Sequence, residues 1–239
     1  MVEPRFAFLF LQEHPYARQM LQSLLGAGFV PRLVVEEASD LAREERDKFL
    51  ERIGDHPVAP SMAEQIRVHG IPSHKVEAHR SETILECLEG EELDLIVLGG
   101  TRIIRGPVLS HPLHGVINAH PGWLPDCRGS ASPAWSVYHD IPIGASVHFC
   151  DDGIDTGDLL LRQRMAVRAG MTYEDLCYGT LVLAGELMRD ALRAFVQGLW
   201  PQMRQVQPES AWPTFKNAPD AVLEAVRDKL AAGTYRHYS

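Results

Sequence analysis

The chain carries 239 residues, 45% apolar and 23% charged, and its 23 lysines and arginines against 32 aspartates and glutamates give a formal charge of −9. That length buries a core sufficient for one large domain, or for a domain of about 200 residues with an extension. The acidic balance, with no basic stripe, excludes a surface made to grip a nucleic acid backbone, and no apolar run reaches the ~18 residues of a membrane-spanning helix.

Glu3, Pro4 and Arg5 lead into a short apolar run, so no secretory leader is expected. RFAFLFL (5–11) reads as a strand, and the stretch from His14 as a helix, with Ala17, Leu21, Leu24 and Leu25 at helical spacing until Gly28 stops it. VPRLVVEE is a second strand, giving the opening strand, helix and strand of a parallel α/β sheet. DLAREERDKFLERI reads as a helix with a solvated charged face, and SMAEQIRVHG as another, opened by a Ser61 to Glu64 capping box and ended by Gly70. IPSHKV is a strand, SETILECLEG a short helix, and LDLIVLGG a continuous apolar strand suited to a sheet covered on both faces.

GVINAH is the next strand, and from its carboxyl end hangs the loop NAHPGWLPDCRG (118–129). Ser132 and Pro133 read as the N-cap and first turn of a helix through Tyr138, ASVHFC and DLLLRQRMAV as two strands flanking GIDTGD (153–158), and Thr172 with Asp175 as the start of a long helix to about Gln197. Beyond Pro201 periodicity weakens until DAVLEAVRDKLAAG, a terminal helix closed by Gly233. The expected fold is a Rossmann-like open, mostly parallel twisted α/β sheet with helices on both faces. Its expected domains are a catalytic domain over 1–200 and a C-terminal extension over 201–239, which caps the core or builds a surface for a homodimer.

Strand alternation puts Asn118 and His120 on one face with Ala119 pointing away, at the sheet edge where open α/β folds bind ligands. Taken singly, an Asn or a His at a strand end is more often a turn former or a satisfied structural residue. Together, an amide donor and a protonatable ring facing one crevice suit an oxygen that becomes negative, and Pro121 and Pro125 stiffen the exit so that the donors need not reorganise. GIDTGD supplies a carboxylate, Asp155, which is expected to approach His120, fix its orientation and favour its protonated form. His148 points to the same side of its strand as Cys150, and so toward the same crevice.

Other chemistry is not indicated. Cys87, Cys127, Cys150 and Cys177 form no C-x-x-C pair, which fits free thiols in a reducing cytoplasm. In DDGIDTGD a glycine comes too early for a calcium loop, His111, His114, His139 and His148 form no zinc pattern, and no metal is expected. No G-x-G-x-x-G is present to hold a dinucleotide.

NAHPGWLP and GASVHFCDDGIDTG, in this order and at this separation, resemble the two signatures of the folate-dependent formyltransferase superfamily, apart from Cys150, where another residue is usual. The resemblance spans roughly residues 5–165. It implies Asn118, His120 and Asp155 as the catalytic trio and 10-formyltetrahydrofolate as formyl donor. It also implies a donor site formed by Leu98, Gly100, Arg102, Ile103 and Ile104 and by Cys150, Asp151, Asp152 and Gly153. His120 would then be the proton source for the oxyanion, and Asp155 would hold its charge and help drain the proton of the attacking amine.

The acceptor is a small-molecule amine on this reading. LQEHPYARQ after the first strand lacks the glycines of a glycinamide ribonucleotide phosphate loop. RGSASPAW resembles methionyl-tRNA enzymes, but the acidic charge and the short stretch after Pro201 disfavour tRNA. What remains is similar to N-formyltransferases of nucleotide-linked deoxy amino sugars, with Arg128, Trp135 and Tyr138 expected to line the acceptor side. Other amine acceptors (glycinamide ribonucleotide or natural-product amines), hydrolysis of the formyl donor by water, and a non-catalytic folate-binding module stay open as alternatives.

Overall fold

The computed structural model describes residues 3–79 and 82–238. In chain order it comprises β1 (Phe6–Leu11), α1 (Pro15–Gly26), β2 (Leu33–Glu37), α2 (Asp40–Ile53), α3 (Met62–His69), β3 (Ser73–Val76), α4 (Thr83–Leu88) and β4 (Leu95–Leu98). There follow a 3-10 turn (Gly106–Ser110), β5 (Val116–His120), α5 (Ser132–His139), β6 (Gly144–Phe149), β7 (Leu159–Arg164), α6 (Tyr173–Val196), α7 (Trp200–Met203) and α8 (Asp220–Ala231). Ser81, where the fourth helix is predicted to begin, lies outside the described residues.

The strands form one sheet in the order β3-β2-β1-β4-β5-β6-β7, parallel from β3 to β5, with β6 antiparallel to β5 and β7 antiparallel to β6. The expected open, mostly parallel α/β sheet is therefore what forms. Alternation in FAFLFL sends Phe6, Phe8 and Phe10 to the face covered by α1 and α6, and Ala7 and Leu9 to the face covered by α4 and the 3-10 turn. All five are buried, and burying each phenylalanine contributes about 1.5–3 kcal/mol. Gly99 shows how closely the layers approach: a Cβ there would overlap the ring of Phe8.

Helix starts follow local chemistry. Thr172 and Asp175 close the reciprocal capping box of α6. At α3, Ser61 accepts from the Glu64 N–H as expected, while the Met62 and Ala63 N–H groups are met by the two carboxylate oxygens of Glu13, a charge well placed at a helix N-terminus. After α7 the chain turns back along the sheet edge: Gln205 pairs antiparallel with Leu159, and Phe215 pairs with Gly129. Helix α8 then buries Val222, Val226 and Leu230 against Ala134 and Val137 of α5.

Candidate active site

The strand order reverses between β1 and β4, and there the carboxyl ends of β1, β4 and β5 open into a cavity of about 730 Å³. Connections on either side of such a point leave on opposite faces of the sheet, which leaves a crevice between them. Asn118 and His120 line this cavity, whereas the side chain of Ala119 enters the core on the α6 side. The Tyr16 hydroxyl, from the first turn of α1, donates to the Ala119 carbonyl and fixes the end of the strand.

His120 is only 4% exposed. Its Nε2 lies 2.7 Å from the Cys127 carbonyl, in the loop after β5, and 3.0 Å from Ser132 Oγ, at the start of α5. A carbonyl only accepts, so Nε2 carries hydrogen and Nδ1 is the nitrogen whose protonation can change. Nδ1 lies 3.4 Å from Asp155 Oδ2. Asp155 sits at a backbone φ of 54°, and its Oδ2 also accepts from the Gly129 N–H at 2.8 Å.

A second imidazole completes the group. His148 faces Asn118 across the β5–β6 pair, with its Nε2 3.3 Å from Asn118 Nδ2 and 3.5 Å from Asp155 Oδ1. The two oxygens of one carboxylate thus face two rings. Burial pushes the Asp155 carboxyl up, but His120, His148 and the Gly129 N–H outweigh it and hold the group well below the usual carboxylate range. Burial dominates at His120 and pushes the imidazole below its ordinary value; the Asp155 charge opposes this, and His148 adds to it. Asp155 favours a protonated His120, as expected, but removing the ring from water costs the cation more than one carboxylate returns, so the net shift is downward.

The donor-side residues inferred from the sequence gather in the same cavity: Leu98, Gly100, Arg102, Ile103, Ile104, Cys150, Asp151 and Gly153 are in its wall, and Asp152 is not. Arg102 Nε is committed to the buried Glu37 carboxylate at 2.8 Å, which ties the segment after β4 to the end of β2. Asp151 Oδ1 accepts from the Gly153 N–H and from Thr156 Oγ1, a local turn that shapes the loop before Asp155.

The three residues expected on the acceptor side are placed differently. Arg128, Trp135 and Tyr138 are not in the cavity wall. Arg128 Nη2 donates to Gln207 Oε1, and Trp135 donates through Nε1 to the Lys216 carbonyl while its ring stacks on Phe215 at 5.0 Å. Tyr138 meets Trp135 edge-on at 6.0 Å. The aromatic face of α5 packs beneath the C-terminal stretch, so Ser130, Thr214, Phe215, Lys216 and Asn217 contribute to the wall here, as do Glu45 and Phe49 of α2. Sequence reading also placed Ser132 as an N-cap; Ala131 takes that position with φ 56°, and the Ser132 hydroxyl turns to His120. His14 and Tyr16 were missed as cavity residues, because their spacing signals only a helix start.

Among the described residues no three His, Cys, Asp or Glu side chains are placed to hold a metal ion, and no helix is long and apolar enough to cross a membrane.

An open α/β sheet with an imidazole, an amide and a carboxylate at its switch-point cavity defines the class: a Rossmann-like protein with its polar cluster beyond the carboxyl ends of the central strands. The family is equally definite, since the formyl transferase family model matches residues 44–192 and the chain belongs to that family. The chain is 29% identical over 200 residues to a methionyl-tRNA formyltransferase of Myxococcus xanthus, covering 83% of this chain and 60% of that protein. It is 32% identical over 148 residues to one of Anaeromyxobacter dehalogenans, covering 61% and 47%. It thus spans less than two thirds of the length of these curated relatives. In fold it is similar to glycinamide ribonucleotide transformylase 1 from Symbiobacterium toebii, with a TM-score of 0.64 at 22% identity over 86% of this chain and 94% of that one. It is also similar to a formyltransferase from Anoxybacillus kamchatkensis solved with UDP-4,6-dideoxy-4-formamido-L-AltNAc and tetrahydrofolate, with a TM-score of 0.54 at 16% identity over 88% and 85%.

Proposed function

We propose that this protein transfers a formyl group from 10-formyltetrahydrofolate to the amine of a small molecule. The observation that carries the reading is the convergence of Asn118, His120 and Asp155 on one cavity, with His120 Nδ1 3.4 Å from Asp155 Oδ2. The formyl donor supplies a one-carbon unit already activated for attack by an amine. Its flat ring suits the trough between the Gly100–Ile104 and Cys150–Gly153 segments, which offer apolar edges and backbone polar groups. Asn118 donates an N–H to the formyl oxygen as negative charge grows there, and protonated His120 hands that oxygen its proton from the Nδ1 edge. Asp155, ionised throughout the working pH range, stabilises the imidazolium while it exists, and its charge favours departure of the proton from the attacking amine. As the tetrahedral adduct collapses, the oxygen returns its proton to His120, the bond between the formyl carbon and N10 of the donor breaks, and the proton given up by the amine ends on that nitrogen, leaving the formamide and tetrahydrofolate.

The acceptor assignment is finer. We take a nucleotide-linked deoxy amino sugar as the acceptor, supported by the 730 Å³ cavity, within the ~300–1,000 Å³ usual for small-molecule sites, and by the formal charge of −9, which opposes a polyanionic partner. With Arg128 committed to Gln207, Lys216 is the cavity-wall residue best suited to an acidic group of the acceptor. The name carried by the curated relatives favours a second reading, formylation of methionyl-tRNA. The test is an assay of formamide formation with 10-formyltetrahydrofolate and, in parallel, nucleotide-linked 3-amino and 4-amino sugars, glycinamide ribonucleotide, charged initiator tRNA and no acceptor. Turnover on the sugars supports the first reading and turnover on the tRNA the second. Formate release without acceptor at a comparable rate would make the protein a hydrolase, and donor binding with no turnover a carrier.

A further inference from the structure

Asp155 occupies a left-handed backbone conformation that a side-chain-bearing residue rarely adopts, in a loop flanked by Gly153 and Gly157. Such a loop has many alternatives, and something must select the one that aims the carboxylate at His120. The direct contact is the side chain of Gln207, from the C-terminal stretch beyond the residues matched by the family model. Its Nε2 donates to the Asp155 carbonyl at 2.9 Å and to the Gly157 carbonyl at 2.6 Å, and its Oε1 accepts from Arg128 Nη2 at 3.1 Å. Arg128 precedes Gly129, whose N–H donates to Asp155 Oδ2. One carboxamide therefore spends both its hydrogens and its oxygen on the two loops that meet at the carboxylate.

The backbone on either side of Gln207 is anchored independently. Gln205 exchanges hydrogen bonds with Leu159 at 2.8 and 2.9 Å, and Arg204 Nε donates to Asp158 Oδ2 at 2.6 Å. Downstream, the Phe215 N–H donates to the Arg128 carbonyl and the Ser130 N–H to the Phe215 carbonyl. At Gly129, with φ 95°, a Cβ would overlap the Phe215 carbonyl oxygen, so the strap lies directly on the backbone that presents the Gly129 N–H. The strap would stay in place without its glutamine side chain, which separates the role of the carboxamide from that of the segment.

We infer that Gln207 is a positioning residue for Asp155, holding the 155–157 backbone and the Arg128–Gly129 turn in the register that sets the carboxylate against His120. This rests on the assignment of Asp155 as the partner of His120 in formyl transfer. Gln207→Met removes the donors at similar length, and Gln207→Glu keeps the acceptor for Arg128 while withdrawing both N–H groups. Arg204→Ala loosens the strap without touching the Asp155 backbone and serves as control. Each is read by steady-state kinetics with the acceptor that the formamide assay identifies and by NMR titration of the His120 ring, whose other neighbours are His148, Ser132 and the Cys127 carbonyl.

The expected result is a fall in kcat of about 10²-fold in both Gln207 variants, with KM for the formyl donor within about threefold. The His120 midpoint should move down toward that of Asp155→Asn, and Arg204→Ala should leave both readouts at wild-type values. A wild-type His120 midpoint in the Gln207 variants, or equal losses in Arg204→Ala, overturns the inference. Should the wild-type protein formylate no acceptor while the ring midpoints still move as stated, the reaction assignment fails and the positioning role stands.

Discussion

Gly122 passes so close to His120 that a Cβ added there would stand 2.6 Å from Nε2 and 2.7 Å from the Cys127 carbonyl to which that nitrogen is bonded. The Pro121–Gly122 turn of NAHPGWLP is thus a spacer for the imidazole. Gly122→Ala must push the ring or the 127 carbonyl aside, and kcat is expected to fall about 10²-fold with a stability loss of about 1–3 kcal/mol. Kinetics and thermal unfolding of the variant check this; wild-type turnover would show that the ring position is not critical.

His120→Ala and Asn118→Ala are each expected to lower kcat by about 10²–10³-fold while the affinity for the formyl donor changes little, because both groups act on charge that appears only during reaction. Donor binding by fluorescence or calorimetry, alongside turnover, separates the two quantities. Near-normal turnover in either variant would remove it from the proposed roles.

The pH dependence follows from burial. Since the His120 ring is pushed below its ordinary value, the imidazolium is a minority species at neutral pH, and kcat should fall with rising pH through a midpoint below ~6.5. Asp155 opposes that shift, so Asp155→Asn should move the midpoint lower still. A rate that stays level up to pH 8 would exclude the imidazolium as the proton donor.

His14 gives a separate, purely structural prediction. Its Nδ1 accepts from the Tyr16 N–H at 3.2 Å to cap α1, which only an unprotonated nitrogen can do, and burial lowers its pKa to about 3. A group that binds protons less readily in the fold than in the unfolded chain makes stability rise with pH between the two values, here about 3 and ~6.5. At pH 5 this group alone is expected to cost about 2 kcal/mol of stability relative to pH 7. His14→Asn keeps a side-chain cap without the titration, so urea unfolding at the two pH values should show a smaller difference in the variant than in the wild type.

Much of the architecture was legible in the chain. FAFLFL and LDLIVLGG announced buried parallel strands because apolar runs of that length serve a sheet covered on both faces, and Thr172 with Asp175 marked the start of α6 through purely local bonds. Asn118 and His120 could be placed on one face by the two-residue period of a strand. His148 could be placed by the same rule, and it does line the cavity.

The acceptor side was not legible. The aromatic residues of α5 look in sequence like a ligand face, yet Trp135 is stacked on Phe215, 80 positions away, and nothing local reveals a partner at that separation. Gln207 was likewise invisible, since a lone glutamine in an aperiodic stretch carries no pattern.

What the amino-acid order determined by itself is whatever depends on near neighbours: strand period, helix caps, turn glycines and the two short motifs. Tertiary structure alone decided which titratable groups share a low-dielectric space and which distant backbone holds them. The protonation balance of His120 is the clearest instance: sequence supplies the carboxylate that raises its affinity for a proton, but the depth of burial, set by the β5–β6 pairing and the 127–132 loop, lowers that affinity further.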